Sequence, residues 1–340
     1  LTDVTKRVKE AFEMIAKSVV FVVATLLSAF FCGTASAQLT RVAIPGISGT
    51  LLPLYVGQDR KFFKKYGLDS ELILVRSGSV AVQSLLAGEI QYAASGTSSG
   101  IEAKLAGADM ISIMDYMNTL PYTLVTSDRI KSANQLKGKR FAVSRLGAIS
   151  DIALRLALKS LGVDPTKEAV ILGIGDAAAR FAALKAGSVD ATVISPPDTL
   201  TARKLGFNLL TSFQDAGIKF AYGSIFITSE YGRKNRSNVL NFIRGFSEAI
   251  AYLRTNKEET LNVLSKWTRN SDREALEDTY DFFLRLYPAK PYSVDEAVRA
   301  VIDVLGEKNA VVKKFKPADF YDMQYLREVD QSGFIDKLYR

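Results

Sequence analysis

The sequence predicts an α/β protein of two similar lobes, each a mixed, mostly parallel sheet flanked by helices, with a ligand cleft between the lobes. Three observations carry this. Segments recur at a constant offset of 99 residues, short apolar strand-like runs alternate with helix-forming runs, and the loops between them are dense in Gly, Ser and Thr.

Composition narrows the chemistry. The chain has 340 residues, 48% apolar and 24% charged, enough for a core and for about two domains. It has no His and one Cys. That excludes a Ser-His-Asp triad, a His-ligated metal and an intramolecular disulfide, so neither a metal nor a cofactor is expected. The net charge of +8 is spread without a long Lys/Arg run. It leans towards anionic partners, and nucleic acid is not expected among them.

The first element is an address. Residues 18–31 form an apolar run too short for a comfortable membrane span, preceded by Lys17 and followed by small residues. Ala35 and Ala37 give the small-x-small pattern of signal-peptide processing, which places cleavage between Ala37 and Gln38. Asp3, Glu10 and Glu13 suit a basic leader region poorly, so the expected translation start is Met14. Residues 1–37 are then the export signal, 38–126 with 226–340 the first lobe, and 127–225 the second.

The repeat sets the elements that follow. Arg41-Val42-Ala43-Ile44 returns as Arg140-Phe141-Ala142-Val143, and Glu71-Leu72-Ile73-Leu74 as Val170-Ile171-Leu172-Gly173. Leu85-Leu86-Ala87-Gly88-Glu89-Ile90 returns as Leu184-Lys185-Ala186-Gly187-Ser188-Val189. The first two pairs read as buried parallel strands. The third pair ends a helix at Gly88 and Gly187, as C-terminal glycines do. Residues 237–254, 257–267, 273–286 and 294–305 carry helical spacing and are expected to pack on the first lobe. Crossings near residues 126–131 and 217–224 would form a hinge.

Ligands of open parallel sheets bind at the carboxyl ends of strands. The candidate residues there are Ser48, Gly49, Thr50, Ser77, Gly78, Ser95, Gly96, Thr97, Arg145, Gly147, Ala148, Asp176 and Ser195. A hydroxyl before a helix can cap it or bind a ligand, since free N–H groups and the positive dipole end face the same space. Arg145 sits where a guanidinium could meet a sulfonate or carboxylate. Tyr222 and Tyr116 are candidate aromatic walls. Asp176, Asp190 and Asp198 are the carboxylates an exported lyase-type enzyme would need as a base, but acidic residues in such turns usually cap locally, and a protein that catalyses nothing is expected.

Four stretches carry a resemblance: residues 54–68 (LYVGQDRKFFKKYGL), 85–90 (LLAGEI), 130–139 (IKSANQLKGK) and 184–191 (LKAGSVDA). With them the chain resembles the periplasmic solute-binding components of ABC importers, in the group for sulfonates, taurine, nitrate and thiamine pyrimidines. The resemblance implies the type II periplasmic-binding-protein fold and capture of a small, anionic solute by lobe closure. It also implies a monomer in the periplasm that delivers its solute to a membrane permease and its ATPase subunit. An aromatic carboxylate or a pyrimidine as ligand, and a sensor role, stay open. A related branch that makes the pyrimidine depends on an active-site histidine, which this sequence lacks.

Overall fold

A computed structural model describes residues 39–340. Met14, the apolar run and the expected cleavage site at Ala37 and Gln38 lie outside the described residues. Among those described, no helix is long and apolar enough to cross a membrane.

The repeat is visible strand for strand. β1 (Thr40–Ile44), β2 (Ser70–Leu74) and β3 (Tyr92–Ser95) form the parallel part of the first sheet. β6 (Lys139–Val143), β7 (Ala169–Gly173) and β8 (Ala191–Ile194) form that of the second, each displaced by the same 99 positions. The remaining strands are β4 (Met110–Met117), β5 (Thr123–Thr126), β9 (Asn208–Ser212) and β10 (Gly223–Thr228). The sheet orders are β2-β1-β3-β10-β4 and β7-β6-β8-β5-β9. In each sheet the fourth strand runs antiparallel to its neighbours and belongs to the other half of the chain order, so the two sheets exchange one strand.

This topology corrects one expectation and agrees with another. The first crossing falls between β4 and β5, not after residue 126, because the β-branched run Thr123–Thr126 pairs with β8 and β9 of the second sheet. The second crossing lies between β9 and β10.

The helices are α1 (Leu52–Asp59), α2 (Phe62–Lys65), α3 (Gly78–Leu86), α4 (Thr97–Leu105), α5 (Ile149–Ser160), α6 (Ala177–Lys185), α7 (Asp198–Lys204), α8 (Ser229–Lys234), α9 (Arg236–Thr255), α10 (Lys257–Thr268), α11 (Arg273–Leu284), α12 (Asp295–Gly306), α13 (Gln324–Gln331) and α14 (Phe334–Lys337). Gly88 and Gly187 follow α3 and α6 with φ of +76° and +70°, the left-handed conformation that ends a helix cheaply only at glycine. α9 is the long helix of the first lobe. Its buried positions Val239, Phe242, Ile243, Phe246, Ile250 and Leu253 follow the helical period, and Phe242 stacks between Tyr92 (4.1 Å) and Phe63 (5.0 Å).

α10 and α11 share that core. α12 packs on α4 of the first lobe, and its Ala297, Val298, Val301 and Ile302 join a separate cluster that holds Ile101 of α4 together with Phe141, Leu154 and Val193 of the second lobe.

Polar contacts also join the lobes across one side. Asp278 on α11 accepts a hydrogen bond from the Thr199 hydroxyl on α7 at 2.8 Å and pairs with Arg203 at 3.2 Å. Lys204 pairs with Glu274 at 2.7 Å, and Arg285 with Asp215 at 3.6 Å.

Candidate functional site

The loops after β1 and β3 enter a cavity of about 420 Å³. Its wall includes Ser48, Thr50, Ser95, Gly96, Thr97 and Ser98 from those loops, Tyr116 of β4, and Phe220, Ala221, Tyr222 and Gly223 from the second crossing. Ile149, the first residue of α5, is the contribution of the second lobe. Among the described residues, no charged side chain lines this cavity.

Local chemistry fixes the wall. The Tyr55 hydroxyl accepts the Ser48 N–H at 3.1 Å, while the Tyr55 ring stacks on Trp267 at 4.6 Å. The Tyr287 hydroxyl donates to the Gly49 carbonyl. Gly223 is required by a close approach, since a Cβ there would lie 2.7 Å from the Tyr116 ring. Burial pushes the Tyr116 and Tyr222 hydroxyls well above their ordinary range, so both stay protonated.

Behind the wall lies a buried carboxylate. Asp115 of β4 accepts from the Ser112 hydroxyl at 2.8 Å and from the Ser293 hydroxyl at 2.5 Å. Ser224 is its cross-strand partner on β10. Burial raises the Asp115 carboxyl above the usual carboxylate range, and these serine hydroxyls pull it back towards the ionised form. The Ser224 hydroxyl is also 2.6 Å from the Thr97 hydroxyl of the cavity wall. The backbone joins the same knot, with the Asp115 N–H donating to the Pro291 carbonyl at 3.0 Å.

Of the residues singled out from sequence, Ser48, Thr50, Ser95, Gly96, Thr97, Tyr116 and Tyr222 come together on this wall. The others do not line it. Gly49 is packed beneath, where a Cβ would meet Phe283 at 2.3 Å. Ser77 caps α3 by accepting the Val80 N–H at 3.3 Å, and a Cβ on Gly78 would lie 2.4 Å from the Ser95 hydroxyl. Arg145 is exposed, and its carbonyl accepts the Ala148 N–H. The Gly147 N–H donates to Asp151 at 2.8 Å, so a carboxylate of the chain itself occupies that donor at the start of α5. Ala148 is the residue before α5. Asp176 caps α6 by accepting the Ala179 N–H at 2.9 Å, and the Ser195 carbonyl accepts the Asp198 N–H at 3.0 Å. Asp190 accepts the Arg140 N–H at 2.9 Å and pairs with its guanidinium, a structural duty rather than a base. Asp198 is half-buried, and burial raises its carboxyl.

Sequence reading missed Ile149, Phe220 and the Asp115 knot. The signal for Asp115 was present, because a lone carboxylate inside the apolar run of β4 is out of place in a strand unless it is hydrogen-bonded. Among the described residues, no group of three or more acidic or Cys side chains could hold a metal ion.

With the geometry in place, the comparisons with known proteins agree on one group. The family model described as NMT1/THI5 like matches residues 49–260. A Brachyspira hyodysenteriae protein named as an ABC transporter periplasmic binding protein is 24% identical, over 98% of this chain and 96% of its own length. A Bacillus subtilis protein named for binding aliphatic sulfonates is 23% identical, over 92% and 96%. Among solved structures, a periplasmic sulfonate-binding protein from Methylobacillus flagellatus superposes with a TM-score of 0.70 at 17% identity, covering 87% of this chain and 95% of that one. That likeness shows the fold, the two-lobe type II architecture of periplasmic binding proteins.

Proposed function

Because the chain belongs to the NMT1/THI5-like family of solute-binding proteins, we propose that it is the solute-binding component of an ABC import system, capturing a small solute between its lobes and handing it to a membrane permease. The observation that carries this reading is the cavity itself. Loops from the carboxyl ends of β1 and β3, the crossing segment and the start of α5 converge on it, so closing or opening the lobes would grip or release whatever fills it. The protein acts in the periplasm after export, works as a monomer and catalyses no reaction. The relatives are named as binding proteins.

The ligand-binding residues are then Ser48, Thr50, Ser95, Gly96, Thr97 and Tyr222, joined by Tyr116 and Ile149. An anion of the sulfonate, taurine or nitrate kind would find backbone N–H groups and hydroxyls here but, among the described residues, no cationic side chain on the wall. Tyr116 and Tyr222 favour a solute with a flat face.

A thermal-shift screen of the purified protein against small anions, sulfonates, aromatic acids, amides and pyrimidines tests the reading. A solute at 100 times its dissociation constant stabilises by about 2.7 kcal/mol, a shift of several degrees. The expected result is a selective shift that Tyr222→Ala removes. A shift that survives Tyr222→Ala and Thr97→Val together would place the solute elsewhere and overturn the assignment.

A further inference from the structure

The two lobes repeat each other, and the second carries a buried group that the first does without. α3 and α6 stand 99 positions apart. At that offset Ala81 of the first lobe corresponds to Arg180 of the second, and Ala93 and Ala94 of β3 correspond to Thr192 and Val193 of β8. All three alanines are buried, so small apolar side chains satisfy the fold at these places. Arg180 is buried too, with 7% of its surface exposed. Its Nε donates to the Asp176 carbonyl at 3.3 Å, and its Nη1 donates to the Val193 carbonyl at 2.7 Å and to the Thr192 hydroxyl at 3.3 Å. The Thr192 hydroxyl spends its own proton on the Ala142 carbonyl at 2.9 Å, so it meets the guanidinium as an acceptor.

Every one of these acceptors is neutral. Among the described residues no carboxylate forms an ion pair with Arg180. Asp176 turns its carboxylate to the Ala179 N–H at the start of its own helix. Nη2 has no acceptor among the described residues, and it is not among the unpartnered atoms sealed from solvent. A buried charge without a counter-ion is costly, and the alanines of the first lobe show that the fold does not require this one. Its position says what it could serve. Val193 lies one residue before the end of β8, and the parallel register sets it level with Val143 at the end of β6. The chain leaving β6 leads to α5, whose first residue, Ile149, lines the cavity. Arg180 is thus held at the carboxyl-end rim of the second sheet, the side on which open parallel sheets bind ligands.

Resting on the cleft reading above, we propose that Arg180 is the counter-ion site of the second lobe, and that it takes the acidic group of an organic solute whose uncharged body fills the cavity of the first. The division of labour follows from the chemistry of each lobe. The cavity wall offers the rings of Tyr116 and Tyr222 and, among the described residues, no charge, which suits a flat neutral body. Nε and Nη1 of Arg180 are already taken by the chain, so the two-nitrogen fork is unavailable to a ligand. One nitrogen remains, and it reads charge rather than shape. A carboxylate and a sulfonate on the same body should therefore serve alike. Thr192 is a positioning residue here, because it holds the guanidinium without needing to touch the solute.

Matched pairs test it: benzoate against benzamide, and benzenesulfonate against benzenesulfonamide, each titrated calorimetrically into the protein at pH 7. The anion of at least one pair is expected to bind about tenfold or more tightly than its neutral partner, the scale of one charge-assisted contact. Arg180→Gln keeps a donor for the Val193 carbonyl but no charge. It should bring the anion down to the level of the neutral compound and leave the neutral compound's affinity unchanged. Arg180→Lys should restore most of the preference, which a merely structural role would not produce. Arg180→Met replaces the glutamine variant should that one fail to fold. An anion preference that survives the neutral variants, equal loss of both members of a pair, or tighter binding of the neutral member overturns the inference. Each of these leaves the cleft reading standing, provided Tyr222→Ala abolishes binding. Binding that persists in Tyr222→Ala, or no binding by any of the four compounds, overturns the inference and counts against the cleft reading as well.

Discussion

The contacts that join α7 to α11 predict a measurable bias towards the closed arrangement of the lobes. Asp278 accepts from Thr199 at 2.8 Å and pairs with Arg203 at 3.2 Å, with Asp278 largely shielded and Arg203 open to solvent. The substitution Asp278→Asn preserves shape and a hydrogen-bond acceptor but removes the charge. An exposed ion pair contributes about 0.5 kcal/mol, and charge assistance to the Thr199 bond contributes about as much again. The loss of about 1 kcal/mol lowers the closed-to-open ratio by about fivefold. A solute that binds only the closed form weakens by up to that factor. Cys32 is the only cysteine, so a Cys32→Ser background accepts one dye on Leu74→Cys and one on Leu172→Cys. Both positions are exposed and lie on β2 and β7, the edge strands farthest from the exchanged strands. Energy transfer between the dyes should report a smaller closed fraction in the variant. Raising salt from 0.1 to 1 M, which shortens the screening length from about 10 to 3 Å, should lower the closed fraction in the parent more than in the variant. An unchanged closed fraction in Asp278→Asn would refute the reasoning.

Other expectations follow from single positions. Gly49→Val should destabilise the protein by about 2–3 kcal/mol, because its Cβ would meet Phe283 at 2.3 Å and Thr279 at 2.9 Å; urea unfolding measures it. Phe242→Ala removes the ring stacked on Tyr92 and Phe63 and should cost about 3–5 kcal/mol in the same assay. The folded state holds the Asp115 carboxyl above its unfolded value of 3.8, so protonation favours the folded form. Relative to Asp115→Asn, the parent should therefore lose stability as pH rises from about 3.8 through the raised value and stay level above it, as read from melting temperatures across that window.

Much of the fold was legible because duplication writes the same physics twice. The strand pairs Thr40–Ile44 with Lys139–Val143 and Ser70–Leu74 with Ala169–Gly173 stand at the offset read from sequence, and Gly88 and Gly187 end their helices with positive φ. Fewer than half of the candidate residues come together, and those from the loops after β1 and β3 do so because a loop at a strand's carboxyl end has little choice of where to go. Less legible was the crossing before Thr123. Four apolar and β-branched residues form a buried strand equally well in either sheet, and only tertiary pairing decides. Arg145 shows the same limit. Its place beside a helix start was correct, but Asp151 reaches back to the Gly147 N–H and the guanidinium stays exposed. The periodicity of α12 gave its buried face without saying that this face would join a cluster holding residues of both lobes.

A crystal structure of the protein with the solute that gives the largest thermal shift tests solute capture most directly. Capture between the lobes predicts density in the cavity bounded by Thr97, Tyr116, Tyr222 and Ile149, with the α7–α11 contacts formed. Density outside that cavity, or a solute held while the lobes stand apart, would contradict it.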